Sequence, residues 1–149
     1  MAQTYFGSTL RAGSGTLTDA TDGGFVVLMQ TVTVTTAADG SAVTATDVLP
    51  AGSQIINLLV DTMVTPVVGG GTATTCPVSV GTAAGGTQYL SSTNAIAGGR
   101  ISLSFTTAQC AAMADIGSNT TVYFTVDPNG TISTTQGVFR LTVVYAQKV

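Results

Sequence analysis

The most apolar stretch of the chain spans residues 47–64 and reads DVLPAGSQIINLLVDTMV. It opens with a turn, because Pro50 presets φ and Gly52 permits a positive φ. Five apolar residues then follow almost without interruption: Ile55, Ile56, Leu58, Leu59 and Val60. A strand with apolar residues on both faces is normally covered on both. We therefore expect a central strand, packed against a second sheet on one face and against a short helix or a sister subunit on the other.

The composition points to an all-β protein. The 149 residues contain 44% hydrophobic but only 7% charged residues, so the chain can bury a core and is far from the composition of disordered proteins. Thr and Val are abundant, and their branched side chains pack well on a pleated surface. Glu is absent and Lys almost absent, which disfavours long helices.

Alternating apolar and polar residues mark further strands. The clearest are residues 100–106, 120–127 and 137–147, together with residues 25–36. Residues 88–90 form a short element between two loops, the second at residues 91–99, and Pro77 restricts residues 74–80 to an edge strand or a bulge. Residues 107–116 are the one helix candidate, with Thr107 as its cap and Gly117 as its end. The fold expected is a two-sheet antiparallel sandwich, jelly-roll-like, with about eight strands and one short helix.

The first 24 residues show no period of 2 or 3.6 and cannot form a core of their own. We therefore divide the chain into residues 1–24, an extended N-terminal arm, and residues 25–149, the β-sandwich domain. The arm carries four residues that would contact a partner surface or a neighbouring subunit if it orders there: Tyr5, Phe6, Leu10 and Arg11. A frayed terminus with incidental aromatics is the alternative.

The sequence offers no residues for catalysis. His and Glu are both absent, which removes the commonest general bases and metal ligands. Residues 18–24, TDATDGG, lack the alternating ligands of a calcium loop. We expect no enzyme activity, no cofactor and no metal. Cys76 and Cys110 are either two reduced, mostly buried thiols or a disulfide.

Charge and hydropathy argue against two classes of partner, nucleic acids and membranes. The net charge is −3 and the four cations are scattered along the chain, so we expect no nucleic-acid partner. No apolar run reaches the roughly 20 residues of a membrane-spanning helix, and the N-terminus does not read as a secretory signal. We expect synthesis in the cytoplasm without membrane association.

Few Lys or Glu residues are present to protect the strand edges of a lone sandwich. Association of copies would cover such edges, and a homotrimer or a larger assembly is the expectation. The most apolar strand is then the natural subunit contact, with Leu58 and Val60 as its contact residues.

Several stretches resemble the small decoration proteins, also called cement or head-stabilising proteins, of tailed bacteriophage capsids. The resemblance covers roughly residues 43–147 and rests on strand and turn patterns: LPAG at 49–52, QIINLLVD at 54–61, SVGTA at 79–83, GRISL at 99–103, TVYFTV at 121–126 and GVFRLTVVY at 137–145. It implies a β-sandwich that trimerises on the outer capsid surface of the virion, in the host bacterium, and bridges neighbouring major capsid protein subunits.

Two other classes remain open at this point. A trimeric head-fibre or tail module would bind glycan on the host surface. A bacterial surface or pilus-like module would need an export signal, which we do not find in the sequence.

Overall fold

A computed structural model describes residues 11–12, 15–16, 25–66, 72–132 and 136–148. The strands are β1 (Arg11–Ala12), β2 (Gly15–Thr16), β3 (Phe25–Thr35), β4 (Val43–Leu49), β5 (Ser53–Val64), β6 (Pro77–Gly81), β7 (Leu90–Asn94), β8 (Gly99–Arg100), β9 (Thr120–Val126) and β10 (Val138–Lys148), and the helix is α1 (Thr107–Ala114). β1 and β2 pair with each other. The remaining eight strands form two four-stranded antiparallel sheets, which confirms the all-β two-sheet sandwich.

The strand order is that of a jelly roll. One sheet, the β3 sheet, has the order β3-β10-β5-β8, and the other, the β4 sheet, has the order β4-β9-β6-β7. Four pairs are nested along the chain: β3 with β10, β4 with β9, β5 with β8 and β6 with β7. Such nesting is what results when one long antiparallel hairpin is rolled up so that successive pairs alternate between two sheets.

The core lies between the two sheets and follows the two-residue period of the strands. In β9 and β10 every second side chain is buried, as the sequence predicts: Val122, Phe124 and Val126 in the first, Phe139, Leu141, Val143 and Tyr145 in the second. The same alternation in β3 turns Val32 and Val34 inward and Thr31, Thr33 and Thr35 outward. The pleat of a strand enforces this division, which is why the pattern predicts it well.

The central strand β5 begins as predicted. Gly52 has a φ of 73°, and the Ser53 amide donates to the Pro50 carbonyl oxygen over 3.2 Å, so residues 50–53 form a turn. The chain after α1 packs on this turn: the Gly52 amide donates to the Ile116 carbonyl and the Ile116 amide to the Ser53 carbonyl. Met113 and Ile116 join the core, but Ile56, on the outer side of β5, stays 53% exposed. The helix therefore covers only the start of this strand.

The helix prediction was right in place and wrong in detail. Thr106, one residue earlier than expected, is the cap: its hydroxyl accepts from the Gln109 amide, while the Gln109 side chain accepts from the Thr106 amide. This reciprocal pair satisfies two amides that the first turn leaves free. Gln109 and Met113 form the buried face, whereas Cys110 is exposed.

Three strand predictions need correction. Of the predicted strand 100–106 only Arg100 lies in a strand, β8, and the Ile101 amide adds one bond to the Val60 carbonyl. Ile101, Leu103 and Phe105 still lie half-buried against the core. The short element predicted at 88–90 is a strand at Leu90–Asn94, within the segment expected to be a loop. The strand predicted at residues 74–80 begins only at Pro77, as β6. It is an inner strand, so the edge alternative is wrong, whereas a register shift between Val78 and Val80 against β7 fits the bulge alternative.

Candidate interaction surface

The face of the β3 sheet that points away from the core is apolar at one end. Its rows follow from the register: Val27 lies beside Ala146, Met29 beside Val144, and Val144 beside Asn57. A register shift between Val144 and Tyr145 leaves Ile56 as the extra residue of a bulge on β5. We call five residues the outer patch: Phe25, Val27, Met29, Val144 and Ile56.

Exposure sets the outer patch apart. Phe25 is 62%, Val27 60%, Met29 69% and Ile56 53% exposed, while Val144 is half-buried among its neighbours. Single exposed apolar residues are ordinary, but a contiguous group of them marks an interaction site in a soluble domain. Covering such a side chain would contribute at most about 1.5–3 kcal/mol, and less for the half-buried Val144, before the entropy cost of association is subtracted.

The middle of the same face is polar but uncharged. Thr31 on β3 and Thr142 on β10 lie opposite each other, and their hydroxyls share a hydrogen bond of 3.1 Å. Such cross-strand threonine pairs stabilise a sheet without adding charge.

An ion cluster closes the far end of the face. Arg140, Asp61 and Arg100 occupy one row on β10, β5 and β8. Arg100 binds the Asp61 carboxylate through two bonds, Nε to Oδ1 at 2.8 Å and Nη2 to Oδ2 at 3.1 Å. Arg140 Nη2 donates to Oδ2 at 2.8 Å. The carboxylate thus ties together three neighbouring strands.

The cluster fixes the charge of Asp61. Hydrogen bonds from Arg100 and then from Arg140 lower the pKa of Asp61 to about 2, against an opposing effect of burial. Both arginines remain partly exposed, with 59% and 38% of their side chains accessible. The cluster therefore adds one net positive charge to the same face, and the threonine pair separates it from the outer patch.

The outer face of the β4 sheet differs in character. Thr44 and Thr46 on β4 lie beside Thr125 and Tyr123 on β9, and the hydroxyls of Thr44 and Thr125 are 3.0 Å apart. Val48, 51% exposed, is the large apolar residue of this surface. The two outer faces are therefore unlike: one is apolar with an ion cluster, and the other is rich in hydroxyls.

A shallow crevice lies between α1 and the segment before β7. It has a volume of about 370 Å³ and is lined by Thr87, Gln88, Ser91, Thr106, Ala108, Gln109 and Ala112. The buried Gln109 amide donates to the Thr87 carbonyl and to Ser91 Oγ, so its polar atoms are already satisfied. None of these lining residues is acidic, basic or a cysteine.

The structure places the predicted contact residues as follows. Leu58 and Val60 are 1% and 0% exposed and lie in the core of the single chain. Their burial does not fit the expected subunit contact, because the inward side of β5 is filled by the same chain. Tyr5, Phe6 and Leu10 lie outside the described residues, and for Arg11 only the backbone pairing with Thr16 is described.

Sequence reasoning missed the ion cluster and the outer patch. Asp61 in the middle of the most apolar strand was the available signal, since a charge at such a position needs a partner. The identity of its partners depends on which strands flank β5, which a single sequence does not reveal.

The two cysteines are free thiols. Cys76 is buried, and burial raises its pKa to about 11, whereas Cys110 is exposed on α1. The expectation that both thiols are mostly buried is therefore wrong for Cys110.

Two absences apply to the described residues alone. Among them, no three His, Cys, Asp or Glu side chains are grouped closely enough to hold a metal ion. No helix within the same residues is long and apolar enough to cross a membrane.

The fold and this surface define the protein as a jelly-roll β-sandwich with an apolar outer sheet face. Comparison with known proteins adds no relative: no family model, no curated protein and no solved structure matches the chain.

Proposed function

We propose that the protein is a structural component of a phage virion that binds the outer surface of the capsid as an oligomer and stabilises the joints between major capsid protein subunits. The observation that carries this proposal is the outer patch, an apolar surface on a rigid sheet that the described residues leave exposed. A flat sheet face suits contact with another folded protein, because its side chains are held in register by the strands behind them.

The sequence resemblance supports the same role. The stretches that carry it coincide with β5, β6, β8, β9 and β10, which build both sheets. A jelly roll alone does not decide function, since the same architecture serves many roles. The proposal therefore depends on the surface together with the resemblance.

The charge pattern fits a static contact. None of the five residues of the outer patch is charged, although Lys148 on β10 is in register with Phe25, and the ion cluster at the far end of the same face adds directional donors from Arg100 and Arg140. A weakly charged protein is not steered over long distances, so it would be held by shape and apolar burial. Such contacts suit a coat applied to a preformed shell in many copies.

The test is an add-back assay on capsids that lack this protein. Ile56→Asp places a charge in the outer patch at an exposed position, so we expect the fold to persist and capsid affinity to fall about tenfold or more. Val48→Asp is the matched control, because Val48 is exposed to the same extent on the other sheet. We expect it to bind like the wild type.

The readout is the number of copies per capsid after sedimentation. A wild-type protein that fails to bind the capsids would refute the proposal, and so would binding to host-cell glycan in place of capsids. Equal loss of binding in both variants would refute the assignment to the outer patch.

A further inference from the structure

Strand β3 is an edge strand of unusual character. Among the described residues it is hydrogen-bonded along one side only, to β10, over its full length of 11 residues. Its first five residues, Phe25–Met29, read FVVLM, and even Leu28, on the inner side, is 38% exposed. Both faces of this strand end are therefore apolar and open, next to a free row of backbone donors and acceptors.

Among the described residues, β3 offers the longest strand edge without a partner; on the opposite side of the same sheet β8 covers only Asp61 and Thr62, so residues 54–59 of β5 form a second, shorter open edge. β8 has two residues and β7 has five, too few to offer a long template. β4, the edge of the second sheet next to β3, turns Asp47 toward the inner side, on which its neighbours Val122 and Leu49 are buried. Inward charges and short strands are the usual means of blocking edge pairing. Residues 25–35 contain no charge and no proline.

We propose that the edge of β3 pairs with β3 of a second copy of this chain, antiparallel, about a two-fold axis at Val27. This register sets Phe25 opposite the second copy's Met29, and Val27 opposite itself. All five rows of FVVLM then join apolar side chains. Moving the axis one or two residues toward Thr31, to Leu28 or Met29, would place Phe25 against the second copy's Thr31 or Thr33, so the apolar pattern selects the register.

The pair would make one sheet continuous across two molecules. The two outer patches would merge on one face, and Leu28 of each copy would be covered on the other. The apolar area so covered is on the order of 300 Å² per copy, or about 600 Å² in total, which by itself is below the roughly 1,000 Å² expected of a stable interface. The backbone hydrogen bonds of the paired edges add to this burial. A dimer that dissociates at micromolar concentration is the expected result.

This inference rests on the proposed association of copies and specifies its symmetry. A two-fold strand pair uses the same surface on both partners and closes at two copies. It therefore predicts pairs, in place of the trimer that the resemblance implies. Its test needs no capsid, so failure of pairing and failure of capsid binding are distinguished.

The first measurement is the mass in solution by light scattering at roughly 100 µM, well above a micromolar dissociation constant. We expect twice the chain mass of 14.9 kDa. Val27→Lys puts a charge on the axis and should give a single chain mass with an unchanged thermal transition. Thr35→Lys is the control, since Thr35 lies exposed on the same strand beyond the paired segment, and it should stay dimeric.

The second measurement locates the axis. In a background with Cys110→Ser, which removes the exposed thiol, Val27→Cys should form a disulfide between copies under mild oxidation. Side chains on a two-fold axis of paired strands approach within disulfide range. Thr33→Cys should not cross-link, because its equivalent lies far along the second copy's strand.

A wild-type mass of one chain or of three chains would overturn the proposal. So would a dimer that Val27→Lys leaves intact, or cross-linking through Thr33→Cys but not through Val27→Cys. In the monomeric case another partner, such as the capsid or a further segment of the chain, would have to cover this edge.

Discussion

At the scale of single residues, Asp61 shows how one charge can organise a surface. The strand that contains it is otherwise apolar, and the cost of placing a carboxylate there is offset by three hydrogen bonds from two arginines. Because Arg100 lies on β8 and Arg140 on β10, their bonds to Asp61 also join three neighbouring strands of the sheet, β10, β5 and β8.

The lowered pKa of Asp61 predicts a dependence of stability on pH. The folded value, about 2, lies below the ordinary 3.8, so the unfolded chain binds the proton more tightly. The stabilisation is therefore complete above about pH 5 and is lost as the pH falls through 4 toward 2. We expect Asp61→Asn to lower the free energy of unfolding by roughly 1–2 kcal/mol at pH 6, a value reduced for the exposure of the arginines.

Urea unfolding at pH 6 and at pH 2 measures this effect. The difference between wild type and Asp61→Asn should shrink toward zero at the lower pH. A difference that stays constant between the two pH values would mean that the ionised Asp61 carboxylate does not stabilise the fold.

At the scale of elements, the helix and the central strand show what local patterns can and cannot predict. The existence of α1 follows from its sequence. Its cap is Thr106 and not Thr107, because Gln109 lies three residues after Thr106 and completes a capping box with it. The sequence pattern of β5 correctly places the opening turn and the apolar strand that follows it. It does not give the partner of each face, since that depends on strands distant in sequence.

The cap predicts a contrast between two adjacent threonines. Thr106→Ala removes the acceptor of the Gln109 amide, and we expect a loss of about 1 kcal/mol in the free energy of unfolding. Thr107→Ala, at the exposed first helical position, should change it by less than about 0.5 kcal/mol. Chemical denaturation of both variants checks this. Equal losses would mean that the cap is not Thr106.

The two adjacent leucines of β5 test which side of the strand is core. Leu58 is buried between the sheets, so Leu58→Ala should cost about 2–5 kcal/mol through lost contacts and the cavity left behind. Leu59 points to the outer face and is half-buried, so Leu59→Ala should cost less than half as much. If Leu58→Ala changed the oligomeric mass and left the unfolding free energy unaltered, Leu58 would be a subunit contact after all.

At the scale of the whole molecule, the sequence predicted the architecture because a two-residue period has one structural meaning. Phe124, Leu141 and their neighbours alternate so regularly that two packed sheets are the natural arrangement. The sequence could not show that residues 101–105 lie outside a strand, because the same alternation appears whether or not a neighbouring strand is present. The ion cluster was equally hidden, because its members lie 39 and 79 residues apart in sequence.

The whole-molecule account is that of a rigid two-sheet body with unlike outer faces. The hydroxyl-rich face of the β4 sheet suits exposure to water, and the apolar face of the β3 sheet suits burial against protein. In the capsid complex that we propose, this asymmetry would decide which face meets the shell.

A cryo-EM reconstruction of capsids after addition of the purified protein tests this claim most directly. The account predicts added density on the outer surface of the shell, with the outer patch covered by capsid or by a second copy and with Val48 and Tyr123 facing solvent. Capsids without added density, or density in which the β4 sheet meets the shell while Phe25, Met29 and Ile56 face solvent, would contradict it.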